Sequence, residues 1–322
     1  MYSMQKEPFI YLDHNATTPV DPEVANAMMP YLTEEFGNPS SGYVLGKRAK
    51  EGLEQARQEA AGLLGCQTQE VVFTSGGSES NNMVLKGLID FRHPERSHII
   101  TSAVEHPAIL NPALFVMELG VKVTILPVDH GCRVEPKSVE KAISPETTLI
   151  SIMLANNETG TLQPIQEISE IAKAHGVPVH TDAAQALGKM DVDVNSLGVD
   201  FLTVAGHKLY APKGVGALFI RSGQRLTPLI HGAGQEGGKR PGTENIILAA
   251  GLGAASRIAR YRLKRDLIKM KTLRNLLQDL LFQGLDDLVL NGHPEDRLPN
   301  TLNVSVPGIE GGQILDGLPG IM

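Results

Sequence analysis

A series of short apolar runs, each closing on polar or small residues, sets the strongest limit on how this chain folds. They are VVFTS (Val71–Ser75), HIITSA (His98–Ala103), VKVTILPV (Val121–Val128), TTLISIMLA (Thr147–Ala155), VPVHTDAAQALG (Val177–Gly188) and VDFLTVA (Val199–Ala205). Aliphatic and β-branched residues dominate them, with little polar alternation, as in strands buried on both faces. Helix-like segments lie between them: Lys47–Leu64, ended by Gly65; the segment opened by GGSESNN after Ser75; and Ile165–Ala174, stopping at His175-Gly176. This alternation predicts an α/β fold with a mostly parallel sheet. A short strand is also expected at Phe9–Leu12, a helix start at Asp21-Pro22-Glu23, an ordered loop at Phe36–Gly46 and a long amphipathic helix over Arg257–Leu285.

In open α/β sheets, ligands bind beyond the carboxyl ends of the strands. Polar residues gather at those ends here: Gly77 and Ser78, His106, Asn157, Asp182 with His180 and Gln185, and His207-Lys208. A lysine amine becomes a useful nucleophile when desolvation or neighbouring positive charge lowers its pKa. Lys208 follows a buried strand, stands beside His207 and precedes the structure-breaking Tyr210–Gly214, so both influences are available. Such a lysine characteristically forms an imine with a carbonyl, as in enzymes that carry pyridoxal 5'-phosphate.

Each residue alone also has a plainer reading. An isolated HK pair is a solvated loop lysine, GGS a tight turn, His106 a structural histidine, Asp182 a helix cap and Asn157 a turn residue. A metal site at HTD with His106 lacks a second close pair of ligands. Taken together they supply a lysine for the imine, an aspartate for the pyridinium nitrogen and donors for a phosphate at a helix N-terminus. A histidine able to lie on the ring and exchange protons completes the set.

The net charge of −7 over 322 residues gives no support to binding nucleic acid or an anionic membrane. The two cysteines, Cys66 and Cys132, have neither metal-ligand spacing nor a disulfide pattern. MYSMQKEPFIYLD contains no long apolar run, so a cytoplasmic location is expected.

The motifs YLDHNATTPVDPEV (Tyr11–Val24), FGNPSS, FTSGGSESNN, EHPAIL, ANNETG, HTDAAQALGK, GHKLYAPKGVGALF, RPGTEN and RLPNTLN occur in that order along nearly the whole chain. In them the chain resembles the pyridoxal-phosphate-dependent cysteine desulfurases and the related selenocysteine lyases. The resemblance implies the fold-type-I architecture: a three-layer α/β/α large domain over 13–253, and a small α+β domain from 1–12 and 254–322. It implies Lys208 as the Schiff-base lysine, His106 on the ring, Asp182 at the pyridine nitrogen and Gln185 at the phenolic oxygen. Gly77, Ser78 and His207 would hold the phosphate, and Asn157 would lie near the ring and the substrate carboxylate. Thr243 would reach the phosphate of a partner subunit, implying a homodimer. The implied reaction removes sulfur or selenium from cysteine or selenocysteine, leaves alanine, and delivers the chalcogen to a sulfur-acceptor or iron–sulfur scaffold protein.

There are departures. Ala205 stands where the family commonly has a hydroxyl, Ala211 where a glycine is usual, and Ser78 where a threonine is usual. Family members continue past RLPNTLNVSVPGIEGG into a loop with the catalytic cysteine and an arginine for the substrate carboxylate, whereas here QILDGLPGIM follows. The small domain is therefore expected to be incomplete and desulfuration impaired. The alternatives are a degenerate cofactor-binding dimer partner or scaffold, and a cysteine-independent C–S lyase.

Overall fold

The computed structural model describes residues 9–322, so the first eight residues of the expected N-terminal arm lie outside it. Along the chain run α1 (Pro22–Thr33), α2 (Val44–Leu64), β1 (Val71–Thr74), α3 (Gly77–Gly87), β2 (His98–Ser102) and α4 (Pro107–Glu118). Next come β3 (Lys122–Leu126), α5 (Pro136–Ala142), β4 (Thr147–Ser151), α6 (Ile165–Ala174), β5 (Val179–Asp182) and α7 (Val194–Leu197). The last are β6 (Phe201–Ala205), β7 (Gly216–Ile220), α8 (Ile246–Gly284), β8 (Val289–Leu290), β9 (Val304–Ser305) and α9 (Gly311–Gly317).

Seven strands form one sheet in the order β1-β7-β6-β5-β4-β2-β3. The β3–β2–β4–β5–β6 pairings are parallel, while β7 runs antiparallel to both β6 and β1. Alternate side chains enter two separate cores, which makes the architecture three-layered. Val71, Phe73, Leu202, Val204 and Phe219 pack with residues of α2, α6 and the start of α8. Val72, Phe201, Leu218 and Ile220 pack with Met83, Leu85, Ile109 and Val116 of α3 and α4. β8 and β9 form a separate antiparallel pair after α8.

Local signals behave as their chemistry requires. Asp21 accepts from the Glu23 amide at 2.8 Å, with Pro22 in the first turn of α1. Gly65 ends α2 in the left-handed conformation, φ 70°. Two expectations change. Phe9–Leu12 does not form a strand, because Ile10 makes only an isolated bridge with Ile321. The long helix begins at Ile246 rather than Arg257, because Asn245 caps it at Leu248 N and Ile246, Ala249 and Leu252 carry it into the core. It therefore passes unbroken through Gly253. Among the described residues no helix is long and apolar enough to cross a membrane.

One buried ion pair ties the segment before α8 to the edge strand. The Arg57 guanidinium meets Glu236 through bonds of 2.7 and 2.8 Å, and Glu236 Oε2 also accepts from the Phe73 amide at 3.0 Å. Their side chains are 10% and 2% exposed, so neither charge has water to fall back on. Removing one member of such a pair typically costs about 3–5 kcal/mol. Glu236→Ala should lower unfolding stability by about that amount, measured by denaturant titration.

Candidate active site

A cavity of about 580 Å³ opens at the carboxyl ends of the central strands. Gly77, Ser78, His106, Asn157, Asp182, Gln185, His207 and Lys208 all line it, although they come from segments as far apart in sequence as α3 and the end of β6. A larger hollow of about 730 Å³, beside Arg57 and Glu236, takes in none of these residues. Thr243 lies outside the cavity and is exposed on the stretch leading to α8.

Lys208 ends a single 3₁₀ turn, Gly206–Lys208, immediately after β6. Its Nζ donates to the Asn15 carbonyl and, at 2.7 Å, to the Ala16 carbonyl. Burial holds its pKa below the ordinary lysine value, against the opposing pull of Asp13 and Asp182. The N-terminal segment grips this turn: Thr18 N and Oγ1 both donate to the His207 carbonyl at 3.0 Å, and Thr18 Oγ1 accepts from Tyr210 N at 2.9 Å. His207 Nδ1 lies 3.1 Å from Thr17 Oγ1, and burial followed by the Lys208 charge lowers the His207 pKa.

Asp182 closes β5 and is buried. Asn81 Nδ2 donates to its Oδ2 at 2.7 Å and the Ala184 amide to its Oδ1 at 2.9 Å. Burial pushes this carboxyl up, while those bonds and the nearby His106 and Lys208 pull it back down. His106 accepts the Ala108 amide on Nδ1 at 3.1 Å as the cap of α4, so the neutral ring carries its proton on Nε2. Gln185 donates through Nε2 to the Asn15 carbonyl at 2.8 Å. His180, from the same HTD run, stays between strands, bonded to Ser151 Oγ at 2.8 Å and Thr203 Oγ1 at 3.0 Å, and burial presses its pKa to about 3.

At the phosphate-like end, Gly76 has φ 148°, outside the range of most L-residues, and the amides of Gly77 and Ser78 begin α3. Ala205 borders the cavity at this end: a β-carbon placed on Gly77 would touch its methyl at 3.5 Å.

Three participants are not evident from residue type alone. Asn81 orients Asp182, and its Oδ1 has no partner among the described residues. Asn15 acts through its backbone carbonyl, which no side-chain motif could announce. Glu105 lies buried beside His106, with Oε1 accepting from Ser102 Oγ at 2.6 Å and Met153 N at 2.9 Å. Burial pushes its pKa to about 8.

The donor set suits pyridoxal phosphate. An anionic group can meet the start of α3, a cationic ring nitrogen the buried Asp182, and an aldehyde carbon the depressed-pKa Lys208. The sheet order and this lysine-centred cavity define a pyridoxal-phosphate-dependent enzyme of fold type I. Comparison with known proteins gives the family: the chain belongs to the class-V aminotransferases, whose sequence profile matches residues 10–319. It is 46% identical over 306 residues to the cysteine desulfurase IscS of Dictyoglomus turgidum, covering 95% of this chain and 78% of that one. With the Methanosarcina thermophila IscS it shares 46% identity over 312 residues, covering 95% and 76%. Among solved structures, a NifS-like protein superposes with a TM-score of 0.92 at 38% identity, over 97% of this chain and 86% of that one. SspA in complex with cysteine gives 0.84 at 36% identity, over 97% and 88%.

Glu105 makes a pH prediction. Its folded pKa of about 8 lies above the unfolded carboxylate value, so the folded state holds the extra proton between about 4.3 and 8. This contribution to stability is fully present below that window and is lost as pH rises through it. Glu105→Gln should flatten that part of the stability–pH curve in the cofactor-free chain, measured by denaturant unfolding at a series of pH values.

Proposed function

We propose that this chain is a cysteine desulfurase, taking sulfur from cysteine and leaving alanine. The observation that carries the proposal is the convergence of Lys208, Asp182, Gln185, His106 and the start of α3 on one cavity. The relatives named cysteine desulfurase support it.

In this reading Lys208 Nζ is the covalent attachment point of the cofactor and afterwards moves protons at the substrate carbons. Bound pyridoxal phosphate supplies an electron sink conjugated to the amino acid's α-carbon. Asp182, held by Asn81, keeps a negative charge against the ring nitrogen. Gln185 donates to the phenolic oxygen, and His106, with Nδ1 committed to Ala108, covers the ring with an Nε2 proton to offer. Gly77, Ser78 and His207 hold the phosphate, and Asn157 lies by the substrate carboxylate. Thr243, exposed and outside its own cavity, serves a partner subunit in a homodimer. A large unit over 13–253 carries this chemistry and a smaller unit comprises 1–12 and 254–322.

Receiving the sulfur requires a thiolate. Neither Cys66 nor Cys132 lines the cavity, and burial, with Glu70 nearby, pushes the Cys66 thiol up to about 12. The acceptor thiolate is therefore neither of these, and the sulfur passes to another protein or segment. The same observation favours a second reading, a C–S lyase that releases sulfide and pyruvate rather than alanine.

Lys208→Ala should abolish the borohydride-reducible cofactor adduct, mapped by mass spectrometry of peptides. An adduct persisting on another lysine would sink the assignment. Supplied with cysteine and a thiol acceptor, the loaded chain should form alanine and a persulfide in equal amounts. Sulfide with pyruvate would decide for the lyase.

Ala205→Ser tests the phosphate end. One added hydrogen bond to a charged phosphate is worth about 1.5–3 kcal/mol, or roughly ten- to a hundredfold in affinity. Cofactor titration should show binding tightened within that range.

A further inference from the structure

Lys189 is 5% exposed, lies behind the cavity wall rather than in it, and has no part in the chemistry assigned above. Burying an ammonium group is costly unless it is well partnered. Among the described residues, its Nζ has one hydrogen-bond partner, Gln185 Oε1 at 2.8 Å. The two residues sit four apart in a compact turn, closed by Ala186 N to Ala183 O at 2.9 Å and Lys189 N to Ala186 O at 3.0 Å. We infer that Lys189 is a positioning residue: it holds the Gln185 amide with Oε1 turned away from the cofactor cavity and the Nε2 donor turned toward it.

An amide side chain has two nearly isosteric orientations, and only its hydrogen-bond partners choose between them. Lysine favours that orientation from behind: as an ammonium it can only donate, and as a neutral amine it still carries N–H donors, although its lone pair can then also accept. That matters because burial holds the Lys189 pKa near 7, so both states are populated at neutral pH. On the other side, the Asn15 carbonyl accepts from Nε2 at 2.8 Å and favours the same orientation, but it is shared with Lys208. When Lys208 leaves it to work on cofactor and substrate, Lys189 keeps its hold, because its contact lies outside the cavity. Rotating the amide would set Oε1 against the Asn15 oxygen in either state, and Nε2 against the Lys189 nitrogen whenever that nitrogen is an ammonium with no lone pair to accept.

The inference rests on the proposed reading in which Gln185 donates to the phenolic oxygen of the cofactor. An amide held with its nitrogen forward stabilises that oxygen as an anion; a free amide can present its own oxygen and repel it. Lys189→Met removes the donor, keeps much of the side-chain volume and spares the cost of a buried charge.

The experiment compares the unsubstituted chain, Lys189→Met, Gln185→Ala and the double variant, each titrated with pyridoxal phosphate. Readouts are the dissociation constant, the pH midpoint of the bound cofactor's visible absorbance band and the borohydride-reducible adduct on Lys208. Lys189→Met should retain the adduct, weaken cofactor binding by about tenfold and move the absorbance midpoint to higher pH. The double variant should match Gln185→Ala. If Lys189→Met does not fold, Lys189→Gln takes its place, since a second amide can present either atom to Gln185 and so leaves the orientation unset. Unchanged affinity and midpoint, or a loss in the double variant beyond that of Gln185→Ala, would overturn the inference while leaving the site assignment standing. Absence of the Lys208 adduct in the unsubstituted chain would instead overturn the site assignment, and this inference with it.

Discussion

Asp182 is a carboxylate placed at the end of a buried strand, and much of the neighbouring structure serves to make that position tolerable. Asn81 reaches it from α3 at 2.7 Å and the Ala184 amide from the following turn at 2.9 Å. Lys208 contributes its charge from the loop after β6. An isolated carboxylate here would simply be protonated. Holding it ready to face a cationic ligand requires α3, β5 and the loops after β2 and β6 to be in register with one another. The parallel sheet supplies that register, because it brings all these ends to one rim.

The N-terminal segment is the second organising part. Thr17 and Thr18 clasp the turn that carries Lys208, while the Asn15 carbonyl accepts from both Lys208 and Gln185. A lysine at the end of a strand would ordinarily extend into water, where its amine stays protonated. Drawn back against backbone carbonyls and away from solvent, it keeps hydrogen-bond partners and loses basicity. Lys189 carries the same device deeper: an amine almost wholly removed from water, with an amide oxygen as its partner.

Much of this was legible in the chain because it depends on short-range chemistry. Aliphatic runs such as VDFLTVA have few ways to satisfy their backbone except in a covered sheet, and Asp21-Pro22 and Gly65 punctuate helices through their own dihedral and capping preferences. Lys208, Asp182 and His106 stood out only as a set that serves the chemistry of a carbonyl cofactor, and the role of Gln185 came from the family resemblance. Periodicity was a poor guide to the long helix. The first turns of α8, Ile246–Ser256, are largely buried and carry no polar face, so its amphipathic pattern begins only where the helix leaves the core. The strand expected at Phe9–Leu12 failed for the opposite reason: its partner, Ile321, lies at the far end of the chain and meets it at a single bridge.

The sequence by itself determined the α/β class, six of the seven strands of the central sheet (β7, Gly216–Ile220, was not among the expected runs) and the residue types available at their ends. Each follows from hydrophobic pattern, backbone preference and side-chain chemistry, which act within a few residues. Only the tertiary structure decided which polar residues share a cavity and which are absorbed into the sheet. His180 and Asp182 stand two apart in one strand, yet burial between Ser151 and Thr203 makes the histidine a neutral spacer, while the aspartate faces the cavity. Equally, only the fold assigned work to a backbone carbonyl at Asn15 and to a lysine behind the wall. Burial and hydrogen-bond partnership are set by contacts between distant segments, and it is these that determine whether a charged group is solvated, neutralised or held poised.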